Sequence, residues 1–233
     1  MSARPERLSL SVPVYNEVGT IRAVIDRLLS IELPVPREIL VVDDGSTDGT
    51  REVLAHASGE RLAVTMIQAP RNAGKGSAIR LGLQRASGTI VAIQDADLEL
   101  DPQQLAALVA PIVAGDATVV YGSRFLNGRS GAPLVTFAAN SVLTGVTNIL
   151  FGSTLTDMET CYKVMRTDAA RSLRLTANRF DIEPQITARL LRAGHAIHEL
   201  PVRFDPRSRA QGKKIGWRDG VRALQVLVNE RFQ

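Results

Sequence analysis

The stretch Thr89-Ile90-Val91-Ala92-Ile93-Gln94-Asp95-Ala96-Asp97-Leu98-Glu99-Leu100-Asp101 decides how the chain is read. It opens as a continuous β-branched and apolar run, the composition of a strand buried on both faces, and then sets carboxylates at alternate positions 95, 97 and 99. A short Asp-x-Asp turn at a strand end can present two carboxylates to one hard divalent cation such as Mg²⁺ or Mn²⁺ and leave coordination sites for a diphosphate. The structural alternative is a solvated acidic turn opening the next helix. Asp101-Pro102 has the chemistry of an N-cap followed by a first helical residue, and is read that way.

Outward from this strand the same alternation recurs. Leu8 to Val14 reads as a buried strand, followed by Tyr15-Asn16-Glu17 and an amphipathic helix from about Val18 to Ser30. Ile39 to Val42 is a second strand running into Asp43-Asp44-Gly45-Ser46-Thr47-Asp48, and residues 62–68 give a third. Arg71-Asn72-Ala73-Gly74-Lys75-Gly76 then opens a helix to about Ala86. Strand and helix in alternation imply right-handed crossovers, a mostly parallel sheet flanked by helices, and a ligand crevice at the carboxyl ends of the strands. The class is α/β.

Two phosphate-loop patterns fail on Gly74-Lys75-Gly76. Position 69 is Ala and no Ser or Thr follows the lysine, which excludes the triphosphatase loop; position 79 is Ile, which excludes the dinucleotide fingerprint. A tight turn with close helix packing explains these glycines without any ligand.

The 233 residues, 45% hydrophobic and 4% aromatic, suit one sizeable core. Met1 to Arg7 is polar, so no leader is expected, and the single cysteine, Cys161, excludes an internal disulfide and favours a reducing, cytoplasmic setting. Net charge is +4, yet residues 201–233 hold eight Lys or Arg against three Asp or Glu. The basic balance therefore belongs to the tail and points to an anionic substrate or a membrane surface there; with no aromatic interleaving and one tryptophan, Trp217, nucleic acid is not expected. His195 and His198 beside Glu199 lack cysteines or a third spaced ligand, and read as packing or surface residues rather than a zinc site.

Taken together, Pro13-Val14-Tyr15-Asn16-Glu17, Asp43-Asp44-Gly45-Ser46-x-Asp48, Arg71-Asn72-x-Gly74-Lys75-Gly76 and Asp95-Ala96-Asp97 resemble family 2 glycosyltransferases of the GT-A fold. Gly122-Ser123-Arg124, Asp157-Met158-Glu159-Thr160-Cys161-Tyr162-Lys163 and Glu199-Leu200-Pro201-Val202 narrow the resemblance to dolichyl- or polyprenyl-phosphate sugar synthases, over nearly the whole chain. The resemblance implies one GT-A domain over 1–233, with a nucleotide-sugar half to about residue 125 and an acceptor half from about 126. It implies that Tyr15, Glu17 and Asp44 hold the base and ribose of a donor such as GDP-mannose or a UDP-hexose, with Pro13 and Lys75 in the same donor site. Asp95 would brace that site and Asp97 would bind Mg²⁺ or Mn²⁺ on the diphosphate. Many relatives have glutamine at the position of Glu99; a carboxylate there is a further metal ligand or a change of metal preference. Arg124 would pair with acceptor phosphate, a task that suits a bidentate guanidinium, its alternative being a surface salt bridge. The basic segment Arg207-Ser208-Arg209-Ala210-Gln211-Gly212-Lys213-Lys214 would close over the diphosphate, with Arg207 serving chemistry and Arg209 and Lys213 the donor.

Residues 130–156 carry no charge. As a helix they put Leu134, Val135, Ala138, Val142, Val146 and Ile149 on one side and Thr136, Asn140, Thr144, Thr147 and Asn148 on the other. The segment is too polar to span a bilayer; its apolar face either covers the sheet or rests on a membrane surface, and the interfacial helix of the resembled family favours the membrane. The activity expected is metal-dependent, inverting transfer of a sugar to polyprenyl phosphate. The alternatives are a hydroxyl acceptor, with Asp157 or Glu159 as base, and a non-catalytic nucleotide-sugar-binding subunit.

Overall fold

The computed structural model describes residues 5–60, 63–129, 131–206 and 216–233. In chain order the elements are β1 (Leu8–Val14), α1 (Ile21–Ser30), β2 (Arg37–Asp43), α2 (Thr50–Glu60), β3 (Val64–Gln68), α3 (Lys75–Arg85), β4 (Ile90–Ile93), α4 (Leu105–Ala114), β5 (Val119–Ser123), α5 (Leu134–Phe151), β6 (Lys163–Arg166), α6 (Thr167–Ser172), α7 (Ile182–Arg192), β7 (Ile197–Pro201) and α8 (Trp217–Phe232). Seven strands form one sheet in the order β3-β2-β1-β4-β6-β5-β7, parallel except for β6, which runs antiparallel to β4 and β5. Strand order reverses between β1 and β4, so their carboxyl ends diverge into a crevice.

The focal strand shows why an unbroken apolar run was needed. Ile90 and Ala92 join the core cluster that includes Ile21, Ile25, Leu105 and Ile112 of α1 and α4. Val91 and Ile93 join the opposite cluster with Ile79 of α3 and Ile182, Ile186 and Leu190 of α7. Side chains alternate across a strand, and here both sides are covered. The strand ends at Ile93, which leaves Asp95, Asp97 and Glu99 beyond the sheet. Asp101 then caps the turn Pro102–Gln104, its side chain accepting from the Gln103 N–H at 3.2 Å.

Helix α1 starts at Ile21, three residues later than its periodicity suggests, because residues 16–20 are committed elsewhere. Asn16 and Thr47 are joined at 2.8 Å, the Glu17 N–H reaches Thr50 Oγ1 at 2.9 Å, and the Val18 N–H reaches Asp48 at 3.2 Å. The turns after β1 and β2 are thereby sewn into one wall. Gly74 (φ +100°) and Gly76 answer to packing: a Cβ would lie 2.5 Å from the Asn178 carbonyl at the first and 2.6 Å from the Ala177 carbonyl at the second.

Helix α5 is inside out for a soluble helix. Its buried residues are Asn140, Leu143, Thr144 and Thr147, whereas Leu134, Val135, Val142 and Ile149 are 68, 81, 60 and 84% exposed. The polar face bonds to the following loop: Asn140 donates to the Thr156 carbonyl (3.3 Å), Asn148 to the Leu155 carbonyl (2.9 Å), and the Met158 N–H donates to Thr144 (3.1 Å). Of the two alternatives for the apolar face, covering the sheet is therefore excluded. Against the expectation that it is too polar to span, the helix, with 18 residues and a mean hydropathy of 1.5, is long and apolar enough to cross a membrane by length and composition, but these bonds and its packing on α8 through Leu143, Ala223 and Leu227 tie it along the domain.

Candidate active site

A cleft of about 380 Å³ opens at the switch between β1 and β4, and its lining includes Pro13, Tyr15, Glu17, Asp44, Lys75, Asp95, Asp97 and Glu99. Eight of the residues singled out in the sequence thus converge on one site, from four turns far apart in the chain. Asn72, Arg179 and Phe180 also line it. The last two come from the loop before α7.

The acids of the site are not equivalent. Asp43 is fully buried and structural: it accepts from the Ser46 N–H at 2.9 Å and from Arg51 at 3.0 Å. Asp44 faces the cleft, yet its two oxygens accept the Ala73 and Gly74 N–H groups at 2.9 and 2.7 Å, so it holds the loop ahead of α3 as well as lining the donor side. Asp95 gives both oxygens to Lys75 Nζ, at 2.7 and 3.0 Å. That ion pair occupies both oxygens of Asp95. Asp97 accepts the Glu99 N–H at 3.2 Å in a compact turn, and both residues line the cleft.

Among the described residues no three His, Cys, Asp or Glu side chains form a ready-made metal cage. Mg²⁺ is commonly held by one or two carboxylates together with substrate phosphates. With Asp95 engaged by Lys75, the pair Asp97 and Glu99 at the cleft wall has the donor set for that arrangement.

Arg124 is placed elsewhere. It lines a second cavity of about 570 Å³ with Ser123, Asn127 and Phe204, and its guanidinium is locked onto Asp157. It lies over the rings of Phe125 and Phe204, each centroid 5.2 Å away, and the carboxylate raises its already high pKa against the opposing effect of burial. The alternative of an exposed surface salt bridge is excluded, since Asp157 is fully buried. Glu159, two residues on, has an Oε1 sealed from solvent with no hydrogen-bond partner among the described residues. Burial pushes its carboxyl up to about 7, aided by Glu183 and Asp157 and opposed by Lys163 and Arg124. His195 and His198 are part of no metal cluster among the described residues. Arg207, Arg209, Lys213 and Lys214 lie outside the described residues.

Sequence reading missed the interior partners of Lys75. Glu183 contacts its ammonium at 3.0 Å and Lys163 at 2.6 Å, and Lys163 is fully buried. The signals available were a lysine, Lys163, opening the short strand Lys-Val-Met-Arg, and a carboxylate, Glu183, in the first turn of an apolar-faced helix.

Comparison with known proteins agrees with this geometry. Residues 9–174 match the family model described as Glycosyl transferase family 2. An undecaprenyl-phosphate mannosyltransferase of Micrococcus luteus is 28% identical over 94% of this chain and 92% of its own. A dodecaprenyl-phosphate galacturonate synthase of Rhizobium johnstonii is 28% identical over 72% of this chain, which spans half of that longer protein. Among solved structures, glucosyl-3-phosphoglycerate synthase from Mycobacterium tuberculosis, crystallised with Mn²⁺, UDP and phosphoglyceric acid, superposes with a TM-score of 0.72 at 22% identity, over 98% of this chain and 79% of that one. A seven-stranded sheet with its cleft at the β1/β4 switch, a family match over most of the length and a GT-A structural neighbour lead to one assignment: the chain belongs to glycosyltransferase family 2 and is a glycosyltransferase of the GT-A fold.

Proposed function

We propose that this enzyme transfers a sugar from a nucleoside diphosphate donor to the phosphate of a polyprenyl carrier, with inversion, at the inner face of a membrane. The observation that carries the donor half is the convergence of Tyr15, Glu17, Asp44, Lys75, Asp95, Asp97 and Glu99 on one cleft at the strand switch. The acceptor half is supported by the polyprenyl-phosphate relatives and by the outward apolar face of α5. On this reading the chain is one domain, its donor half reaching to about residue 125 and its acceptor half beginning near 126.

Tyr15, Glu17 and Asp44 would meet the base and ribose, GDP-mannose and UDP-hexoses being the donors to test. Asp97, with Glu99, would hold a divalent cation, which when bound offsets charge on the departing diphosphate. Asp95 keeps Lys75 at the cleft floor. An acceptor phosphate monoester is already anionic at neutral pH, so no strong base is required. The remaining work is alignment of that phosphate with the anomeric carbon and stabilisation of developing charge. A hydroxyl acceptor would need a base within reach of the cleft; Asp157 is held by Arg124, and Glu159, its carboxyl pushed up to about 7 by burial, has one oxygen sealed from solvent and lines neither cavity.

A thermal-shift screen of UDP, GDP and their sugars with Mn²⁺ tests the donor half. Binding stabilises the folded state by RT ln(1 + [L]/Kd), so the true donor raises Tm by an amount that grows with the logarithm of its concentration over Kd. No shift with any nucleoside diphosphate would contradict the reading.

A further inference from the structure

From the cleft inward, four charged side chains from three elements and the turn after β4 alternate in sign. Lys75, the first residue of α3, touches Asp95 at 2.7 Å and Glu183 at 3.0 Å. Glu183, in the first turn of α7, accepts from Lys163 of β6 at 2.6 Å. Lys163 also donates to the carbonyls of Met158, at 3.1 Å, and Thr160, and lies 4.8 Å from the centre of the Tyr121 ring. Stability does not account for this chain of charges: buried ion pairs are often no better than apolar residues of similar volume, and a lysine at a helix N-terminus opposes the macrodipole. What the arrangement does achieve is a fixed ammonium and a balanced charge. Two carboxylates and two ammonium groups sum to zero, beneath a cleft whose wall carries Glu17, Asp44, Asp97 and Glu99 against Arg179. A nucleoside diphosphate entering without a cation therefore meets a neutral floor and an acidic wall.

We propose that Glu183, backed by Lys163, is a positioning residue of the donor site: it pins Lys75 against Asp95 and cancels its charge, so that a diphosphate is held weakly unless a divalent cation accompanies it. This inference rests on the donor reading above. Glu183 touches no reacting atom. It acts through Lys75, and Lys163 supplies the opposite charge that lets a carboxylate occupy that depth.

The test is calorimetric titration of UDP and GDP into wild type, Glu183→Gln and the double variant Glu183→Gln/Lys163→Met, each with Mn²⁺ and each with EDTA, alongside turnover in the transfer assay described below. Glu183→Gln makes the site one unit more positive, and its affinity for the nucleotide in EDTA should rise about fivefold, while turnover with Mn²⁺ falls at least about tenfold as Lys75 loses its second anchor. The double variant restores the charge balance; its affinity in EDTA should return to within about twofold of wild type, with turnover still low. Should Glu183→Gln fail to fold, the double variant decides alone through that split. Unchanged metal-free affinity in Glu183→Gln, or wild-type turnover in the double variant, would overturn the proposal and leave the donor reading intact. Failure of wild type to bind either nucleotide in both conditions would instead overturn the donor reading.

Discussion

Arg124 grips Asp157 with two parallel hydrogen bonds, Nε to Oδ2 and Nη2 to Oδ1, both at 2.7 Å, and its own backbone N–H adds a third at 2.9 Å. Asp157 is fully buried and Arg124 nearly so. Removing one partner of such a pair leaves an uncompensated charge, at a cost of about 3–5 kcal/mol. Arg124→Met should therefore unfold at markedly lower denaturant concentration than wild type, and Arg124→Met/Asp157→Asn should recover most of the loss. If Arg124 served the acceptor phosphate alone, the single variant would keep wild-type stability and only the Michaelis constant for acceptor would rise.

Asp97 is partly exposed on the cleft wall and not part of the buried charge chain. Asp97→Asn should lower turnover by about a hundredfold or more, comparable to the loss of one strong electrostatic stabiliser. Its Tm should stay near that of wild type. Retention of most activity, or wild-type turnover in excess chelator, would remove Asp97 from the metal role.

Glu159 gives the fold a pH signature. Burial raises its carboxyl from 4.5 to about 7. Between those values the unfolded chain loses its proton while the folded chain keeps it, so stability falls as pH rises from about 4.5 to 7 and levels off above, by up to about 3 kcal/mol. Glu159→Gln cannot ionise. It should match wild type near pH 4.5 and exceed it at pH 8 in denaturant melts; parallel pH profiles for the two proteins would contradict this.

The outward face of α5 should bind lipid. Val135 and Ile149 are the most exposed of its apolar residues, and eight Lys or Arg against three Asp or Glu in residues 201–233 add attraction to anionic headgroups. Wild type should float with anionic vesicles more than with neutral ones, and salt should weaken the binding by screening. Val135→Glu/Ile149→Glu should abolish flotation without lowering Tm. Equal behaviour of variant and wild type would exclude this face.

How far the sequence could be read follows from which interactions are local. β4 and the Asp101 cap were legible because an apolar run and an Asp-Pro pair act on their own neighbours. The periodicity of α5 revealed two faces but not which one turns inward, since that depends on the loop at 155–158 and on α8. Asp44 and Arg124 were placed by motif, yet their partners, Gly74 and Asp157, are 30 and 33 residues away. Lys163 and Glu183 meet only because β6 enters the sheet antiparallel between β4 and β5, an arrangement that strand and helix alternation does not encode.

The central claim is sugar transfer to a polyprenyl phosphate, and it is tested most directly by supplying radiolabelled nucleotide sugar with Mn²⁺ and comparing polyprenyl phosphate with the matching polyprenol. The account predicts label in an organic-phase product with the phosphate acceptor, dependent on metal, and none with the alcohol. Label on the polyprenol, or on neither lipid while a soluble hydroxyl acceptor is glycosylated, would contradict it.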